Sequence, residues 1–233
     1  MKQMNLLLGR DKKVLSQCLF VLMLCLPFSS YAATYTVSEL LPTPLDIPTT
    51  VNTVTWDRSD TNYPNDDDKV LVSIGFPFTF KDVAYNQVRI LTNGMLHFGS
   101  DQRLHRTYNN ASLPTNTADR FIAPYWDDLV DDAQSSVTYG MKGSAPSRSF
   151  IVTWNNVRAY SNNLRYDFQV VLYENGDIRF RYDNNTANGI SATIGIEVDN
   201  SDVIQYSYNS SSVRTDFDLF FKNSLLNFLL SRS

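Results

Sequence analysis

The sequence has few of the residues on which catalysis and covalent stabilisation usually depend. It contains two cysteines, Cys18 and Cys25, and two histidines, His97 and His105, in 233 residues. It contains no G-x-S-x-G, H-E-x-x-H, P-loop or dinucleotide-binding fingerprint. A formal charge of −4 and a sequence pI near 5.1 argue against a surface that binds nucleic acid. We therefore predict that the chain is not an enzyme and has no nucleic-acid partner.

Apolar runs are short, and the one at residues 18–26 follows a basic segment. Small residues at Ser30 and Ala32 then occupy the two positions that a signal peptidase reads. The run is too short to cross about 30 Å of hydrocarbon, which requires roughly 20 residues. We predict that residues 1–32 are a signal peptide and that the chain is exported to the periplasm, the outer surface or the medium. The mature chain is then free of cysteine, with no transmembrane span.

The mature sequence lacks amphipathic stretches with a helical period before residue 217. From Val70 onward, apolar and polar side chains alternate with the period of half-buried strands. Alternating apolar residues flank the pairs Asn93-Gly94 and Asn175-Gly176, and this pattern predicts two tight hairpins. We predict an all-β fold, an antiparallel β-sandwich or a flattened barrel with long polar loops, over residues 70–222.

The flanks of this module show no sustained period. Residues 33–69 are rich in Pro, Thr and Asp, and we predict an extended lead-in that ends in a solvated acidic stretch at residues 66–68. Residues 223–233 form an apolar tail that is too short to span a membrane. The tail is either a small closing helix or foreign sequence that follows the truncation of a longer reading frame. The sequence favours truncation.

The acidic residues after Trp126 are the candidate site. Asp127 and Asp128 offer carboxylate oxygens, which suit a hard cation such as Ca²⁺. Their spacing is not that of a D-x-D-x-D-G loop, and neighbouring side chains on a strand point to opposite faces. The alternative role is the acceptance of backbone N–H bonds at a turn. Ca²⁺ on Asp127 and Asp128 is the metal hypothesis, and the sequence indicates no other cofactor.

Two further groups of side chains have both a functional and a structural interpretation. His97 lies between Leu96 and Phe98, so we predict that it points to the opposite, solvated face of its strand. Tyr160, Tyr166 and Tyr173 could stack on sugar rings, whereas most aromatic side chains in a sandwich belong to the core.

Several segments in a fixed order resemble a known extracellular module. They are residues 74–78 (IGFPF), the hairpin at 88–98, residues 121–129 (FIAPYWDDL), residues 143–148 (GSAPSR), residues 154–157 (WNNV) and residues 173–178 (YENGDI). The order resembles a β module of large secreted bacterial surface proteins that is distantly similar to nidogen-like domains. The nearest likeness is to the N-terminal region of MshQ-type proteins, which are encoded with the mannose-sensitive haemagglutinin (MSHA) type IV pilus. The resemblance covers about residues 60–222 and implies no catalytic residues.

The resemblance implies an exported, non-catalytic surface module for adhesion or for type IV (MSHA-like) pilus biogenesis. Its partners would be surface or pilus proteins, or glycans. Two alternatives stay open from the residues alone. One is a secreted hydrolase or its accessory carbohydrate-binding domain, and the other is a structural spacer of a longer surface protein.

Overall fold

The computed structural model describes residues 33–57, 65–99, 108–116, 118–185 and 188–224. The predicted signal peptide, His105 and most of the predicted apolar tail lie outside the described residues. In chain order the strands are β1 (Tyr35–Leu40), β2 (Asn52–Thr53), β3 (Lys69–Phe80), β4 (Val83–Leu91), β5 (Met95–His97), β6 (Phe121–Trp126), β7 (Leu129–Val130), β8 (Ser136–Lys142), β9 (Ser149–Ala159), β10 (Arg165–Tyr173), β11 (Ile178–Asn185), β12 (Thr193–Asp199), β13 (Asp202–Tyr208) and β14 (Phe217–Asn223).

The strands form two antiparallel sheets that pack face to face. Sheet A has the order β1-β14-β11-β10-β9-β8-β2, and β7 pairs with β9 beside this path. Sheet B has the order β13-β12-β6-β5-β4-β3. The predicted all-β antiparallel sandwich is therefore confirmed, and the two separate sheets decide against a closed barrel.

Aromatic side chains fill the space between the sheets. Phe168 of sheet A stacks on Trp154 with ring centroids 5.0 Å apart and on Tyr125 of sheet B with centroids 5.4 Å apart. A second stack joins Phe98 to Phe80 at 4.8 Å. Such pairs contribute about 0.5–1.5 kcal/mol each beyond the burial of their area. The alternation in the sequence arises because every second side chain of a strand points into this aromatic core.

Both predicted hairpins are present. β4 pairs with β5 around the first Asn-Gly turn, and β10 pairs with β11 around the second. Gly94 has φ of +70°, and a Cβ atom there would lie 2.1 Å from the carbonyl oxygen of Tyr125. This turn therefore packs directly against β6, and only glycine fits at the contact.

The lead-in belongs to the sandwich and does not merely precede it. β1 pairs with β14 and β2 pairs with β8, so the two strands lie at opposite edges of sheet A. Six inter-strand spacings separate them, about 29 Å. Residues 41–51, which we name the strap, cover this distance because eleven extended residues reach about 36 Å. The strap thus crosses the outer face of sheet A, and Pro42, Pro44 and Pro48 favour its extended form.

Asp46 fastens the strap at the middle of sheet A. Its backbone N–H donates to Gln169 Oε1 at 3.0 Å, and its carbonyl oxygen accepts from Gln169 Nε2 at 2.9 Å. Its carboxylate accepts from Lys142 at 2.6 Å and from Arg181 at 2.7 Å. The outward face of the second hairpin carries Arg179 and Arg181, but the strap covers this face, and Arg181 is buried.

The outer face of sheet B is also covered in part. Leu91, Met95, Phe121 and Trp126 form a second apolar cluster with residues from the segment 108–120, including Leu113 and Ala118. This second cluster explains why β5 and β6 are buried on both faces.

Candidate functional site

Three turns meet at one end of the sandwich, and all of them carry acidic or amide side chains. They are the turn that precedes β3 (residues 65–68), the β4–β5 turn (residues 92–94) and the β6–β7 turn (residues 127–128). Asn93 links two of them to its own turn: its Nδ2 donates to Asp67 Oδ1 at 2.8 Å, and its Oδ1 accepts from the backbone N–H of Leu129 at 2.8 Å. The hairpin predicted from the sequence therefore positions the acidic end of the molecule.

Asp127 is the inward member of the predicted pair. Its Oδ1 accepts from the backbone N–H of Asp128 at 2.9 Å, and its Oδ2 accepts from the Ser191 hydroxyl at 2.6 Å. Burial raises the pKa of the Asp127 carboxyl, and these two hydrogen bonds oppose the rise. The turn-acceptor role weighed for this residue matches the geometry.

Asp128 points the other way, toward the turn before β3. One carboxylate oxygen from each of Asp66, Asp67 and Asp128 lies within 4.8 Å of the other two. Desolvation raises the pKa of Asp128 to about 7, the charges of Asp66, Asp67 and Asp127 add to this rise, and Arg158 opposes it. We name Asp66, Asp67 and Asp128 the carboxylate triplet.

The carboxylate triplet differs from the pair of residues that the metal hypothesis named. The hypothesis paired Asp127 with Asp128, but Asp127 is not in the group of three whose oxygens converge. Oxygen ligands suit Ca²⁺ or Mg²⁺, and the triplet would supply three of the six or more that such an ion takes. Close carboxylates alone do not make a metal site.

The stretch at residues 66–68 was predicted to be solvated, and this prediction is wrong. Asp66 and Asp68 are 8% and 2% exposed. The Asp68 carboxylate accepts from the backbone N–H of Asn65 at 2.9 Å, and the Thr92 hydroxyl donates to the carbonyl oxygen of Asp66. The pairing of β3 with β4, in which Lys69 faces Leu91, brings residue 68 beside residue 92. The sequence pattern does not reveal the triplet, because the arrangement also depends on the contacts of Asn93 with the two other turns.

The acidic residues that follow, Asp131 and Asp132, hold the structure together. Asp131 accepts from the indole N–H of Trp56 at 2.8 Å and from the Ser135 hydroxyl at 2.8 Å. Asp132 pairs with Arg165 at 2.6 Å and with Arg158 at 3.2 Å. The hydrogen bond from Arg165 is the largest of the effects that lower the pKa of Asp132 to about 2.

The comparison with known families decides the class of the module. The model of the family described as "NIDO related" matches residues 43–223. The chain belongs to the NIDO-related family. No curated protein and no solved structure matches it. The NIDO-related match supports the nidogen-like resemblance and an extracellular or surface module. It includes most of the strap, in agreement with the place of the strap in the sandwich.

The histidine within the described part of this NIDO-related module does not face solvent. His97 is on the predicted side of β5, opposite Leu96 and Phe98, but its exposure is 0%. The prediction of a solvated side chain is wrong because that side of β5 contributes Met95 to the second apolar cluster.

The tyrosines weighed as a sugar platform do not share a surface in the NIDO-related sandwich. Tyr166 is buried in the core, with its ring centroid 4.8 Å from that of Tyr125. Tyr173 is half-buried against Phe220 at 6.4 Å, and Tyr160 is 49% exposed. The structural interpretation holds for Tyr166.

The described residues form no helix long and apolar enough to cross a bilayer.

Proposed function

We propose that the chain is an exported, non-catalytic surface module that acts in adhesion or in the biogenesis of an MSHA-like type IV pilus. The family match over residues 43–223 supports a surface module, and the order of segments that resembles MshQ-type proteins favours adhesion or pilus biogenesis. The module would act by contact with surface or pilus proteins or with glycans.

The chemistry of the described residues supports a non-catalytic role. His97 is fully buried on the covered outer face of sheet B, so its imidazole cannot reach a substrate. Surface cavities of about 450, 400 and 530 Å³ lie along the strap, beside Met141 and on β3–β4, and the carboxylate triplet does not line any of these three. A hydrolase would need an acid and a base that face the same cleft.

The raised pKa of Asp128 beside two other carboxylates is the observation that favours the rival hydrolase class. A carboxyl that stays protonated near pH 7 is the form that a general acid takes. Asp128 does not line any of the three cavities described above.

The geometry of the chain ends weighs against a spacer. β1 and β14 are antiparallel neighbours, and the backbone N–H of Ser224 donates to the carbonyl oxygen of Thr34 at 2.8 Å. The chain therefore enters and leaves the module at the same edge. A module with adjacent ends adds little length between its neighbours, which is the opposite of what a spacer must do.

A binding experiment tests the proposal. Fluorescently labelled protein is added to cells that lack the gene, to isolated pili and to a glycan array. We expect saturable binding to the cells and to either pili or glycans. The same protein is incubated with the bound glycans, and sugar release is measured. Release of sugar would favour the hydrolase class, and the absence of saturable binding to all three targets would contradict the proposal.

A further inference from the structure

The N-terminal arm of the module, residues 33–51, consists of β1 and the strap, and little of it is buried. Only Thr34 and Tyr35 are buried within residues 33–51. β1 pairs through one edge, with β14, and five of its six residues are exposed. Segments with few buried contacts open at low free energy while the rest of a domain stays folded. The N-terminal arm is therefore the part of the sandwich that can detach first.

A small set of specific contacts holds the N-terminal arm. The Thr34 hydroxyl donates to the Asp202 carboxylate, and the Tyr35 ring packs on Phe80 with centroids 5.8 Å apart. Asp46 binds Gln169, Lys142 and Arg181, as described above. All of these partners lie in the body of the module, in residues 52–224. The body is thus a receptor for an extended peptide, and the chain's own arm occupies it.

The surface of the body that the arm covers, which we name the receptor surface, also includes two apolar side chains that are buried outside the main core. Ile151 and Val171 face each other on β9 and β10, on the side of sheet A that the strap crosses. Both have 0% exposure, and neither belongs to the core between the sheets. Removal of the arm would uncover them, together with the edge of β14. Such a surface requires an occupant, because exposed apolar area and unpaired strand edges promote association.

We propose that the N-terminal arm exchanges between copies of this chain, so that the arm of one copy pairs with β14 and the outer face of sheet A of a second copy. The occupant is a second copy because every copy carries an arm that matches the receptor contact for contact. Val51, the last residue of the strap before β2, is 53% exposed and is the pivot. Reciprocal exchange closes a two-fold dimer and leaves the β14 edge of neither copy open.

The protein concentration determines whether the arm binds its own body or the body of a second copy. A short tether gives the arm an effective concentration on the order of millimolar at its own body. Dilute protein is therefore expected to be monomeric, and exchange is expected when copies are crowded, as on a cell surface. This inference does not depend on the proposed function.

Cysteine pairs test the exchange directly, because Thr36 faces Lys222 in the β1–β14 register and both side chains are exposed. Directly opposed antiparallel residues have Cα atoms about 4.5–5.5 Å apart, which a disulfide can bridge. All chains carry Cys18→Ser and Cys25→Ser. One chain carries Thr36→Cys, and a second, differently tagged chain carries Lys222→Cys. The two chains are mixed at about 1 mM, so that the concentration of second copies matches the effective concentration of the arm at its own body. The mixture is then diluted and oxidised.

We expect a disulfide between the two tagged chains in this mixture. The control mixture combines Thr36→Cys with Ser73→Cys, an exposed position on β3 of the other sheet, and we expect background cross-linking there. Asp46→Ala in both chains should accelerate the cross-link about tenfold, because the strap must leave Gln169, Lys142 and Arg181 before it exchanges. A chain that carries both Thr36→Cys and Lys222→Cys, oxidised before mixing, should not exchange.

A measurement on the unmodified protein guards against misfolded variants. Sedimentation of the wild-type chain should show a dimer whose fraction rises with concentration and which persists for some time after dilution. Cross-linking of the Thr36 and Lys222 mixture at the level of the control would overturn the proposal. A wild-type chain that stays monomeric at about 1 mM would overturn it as well.

Discussion

Replacement of Asp128 by Asn should make the protein more stable at pH 8 and leave its stability almost unchanged at pH 4. The pKa of Asp128 is raised to about 7, mainly by desolvation and then by the charges of Asp66 and Asp67. In the unfolded chain an Asp carboxyl has a pKa of about 3.9. Between these two values the folded protein holds a proton that the unfolded chain has lost, so stability falls as the pH rises from about 4 to about 7.

The size of this effect follows from the shift. About three pKa units correspond to roughly 4 kcal/mol at most, at about 1.36 kcal/mol per unit. Asp128 is only half-buried, and water screens the repulsion, so we expect about 1–2 kcal/mol. Asn resembles the protonated carboxyl and removes the cost at pH 8.

Urea unfolding at pH 4 and pH 8, in EDTA, measures the difference. Asp82→Asn makes the same chemical change at an exposed turn between β3 and β4 and should alter stability little at either pH. A ¹³C titration of the Asp128 carboxyl locates its pKa independently. An equal gain at both pH values, or a loss at pH 8, would show that ionisation of Asp128 does not destabilise the folded protein.

Three further predictions concern the same end of the sandwich and the N-terminus. Asp127→Ala should destabilise the fold by about 1–3 kcal/mol, because the Ser191 hydroxyl and the Asp128 N–H lose their acceptor; equal urea midpoints for the variant and the wild type would contradict this. If the carboxylate triplet binds Ca²⁺, millimolar Ca²⁺ should raise the melting temperature of the wild type but not of Asp67→Asn, and equal shifts in both would exclude the triplet as the site. Mass spectrometry of exported protein should give an N-terminus at Ala33, and recovery of intact Met1 would contradict the predicted signal peptide.

Period-two alternation predicted the strands that have one buried and one exposed face. It could not predict β1, since five of its six residues are exposed and only Tyr35 is buried. It also could not predict how β5 and β6 are buried on both faces, because their cover comes from a distant segment of the chain. The solvated His97 expected from alternation was wrong for the same reason.

The candidate site depended on contacts between turns, which alternation does not contain. The sequence singled out Asp127 and Asp128 and offered the turn-acceptor role for either of them. It could not place Asp66 and Asp67 beside Asp128, because this arrangement depends on the pairing of β3 with β4 and on Asn93 bridging two turns. The strap was equally hidden, since an extended Pro-rich segment has the same composition whether it crosses a sheet or lies in solvent.

We propose that this NIDO-related module works at the cell surface in attachment or pilus assembly. The most direct test is the attachment of a strain that lacks the gene, with pili counted on the same cells by electron microscopy. We expect reduced attachment or fewer pili, with recovery when the wild-type gene is restored. Normal attachment together with a normal number of pili in the deletion strain would contradict it.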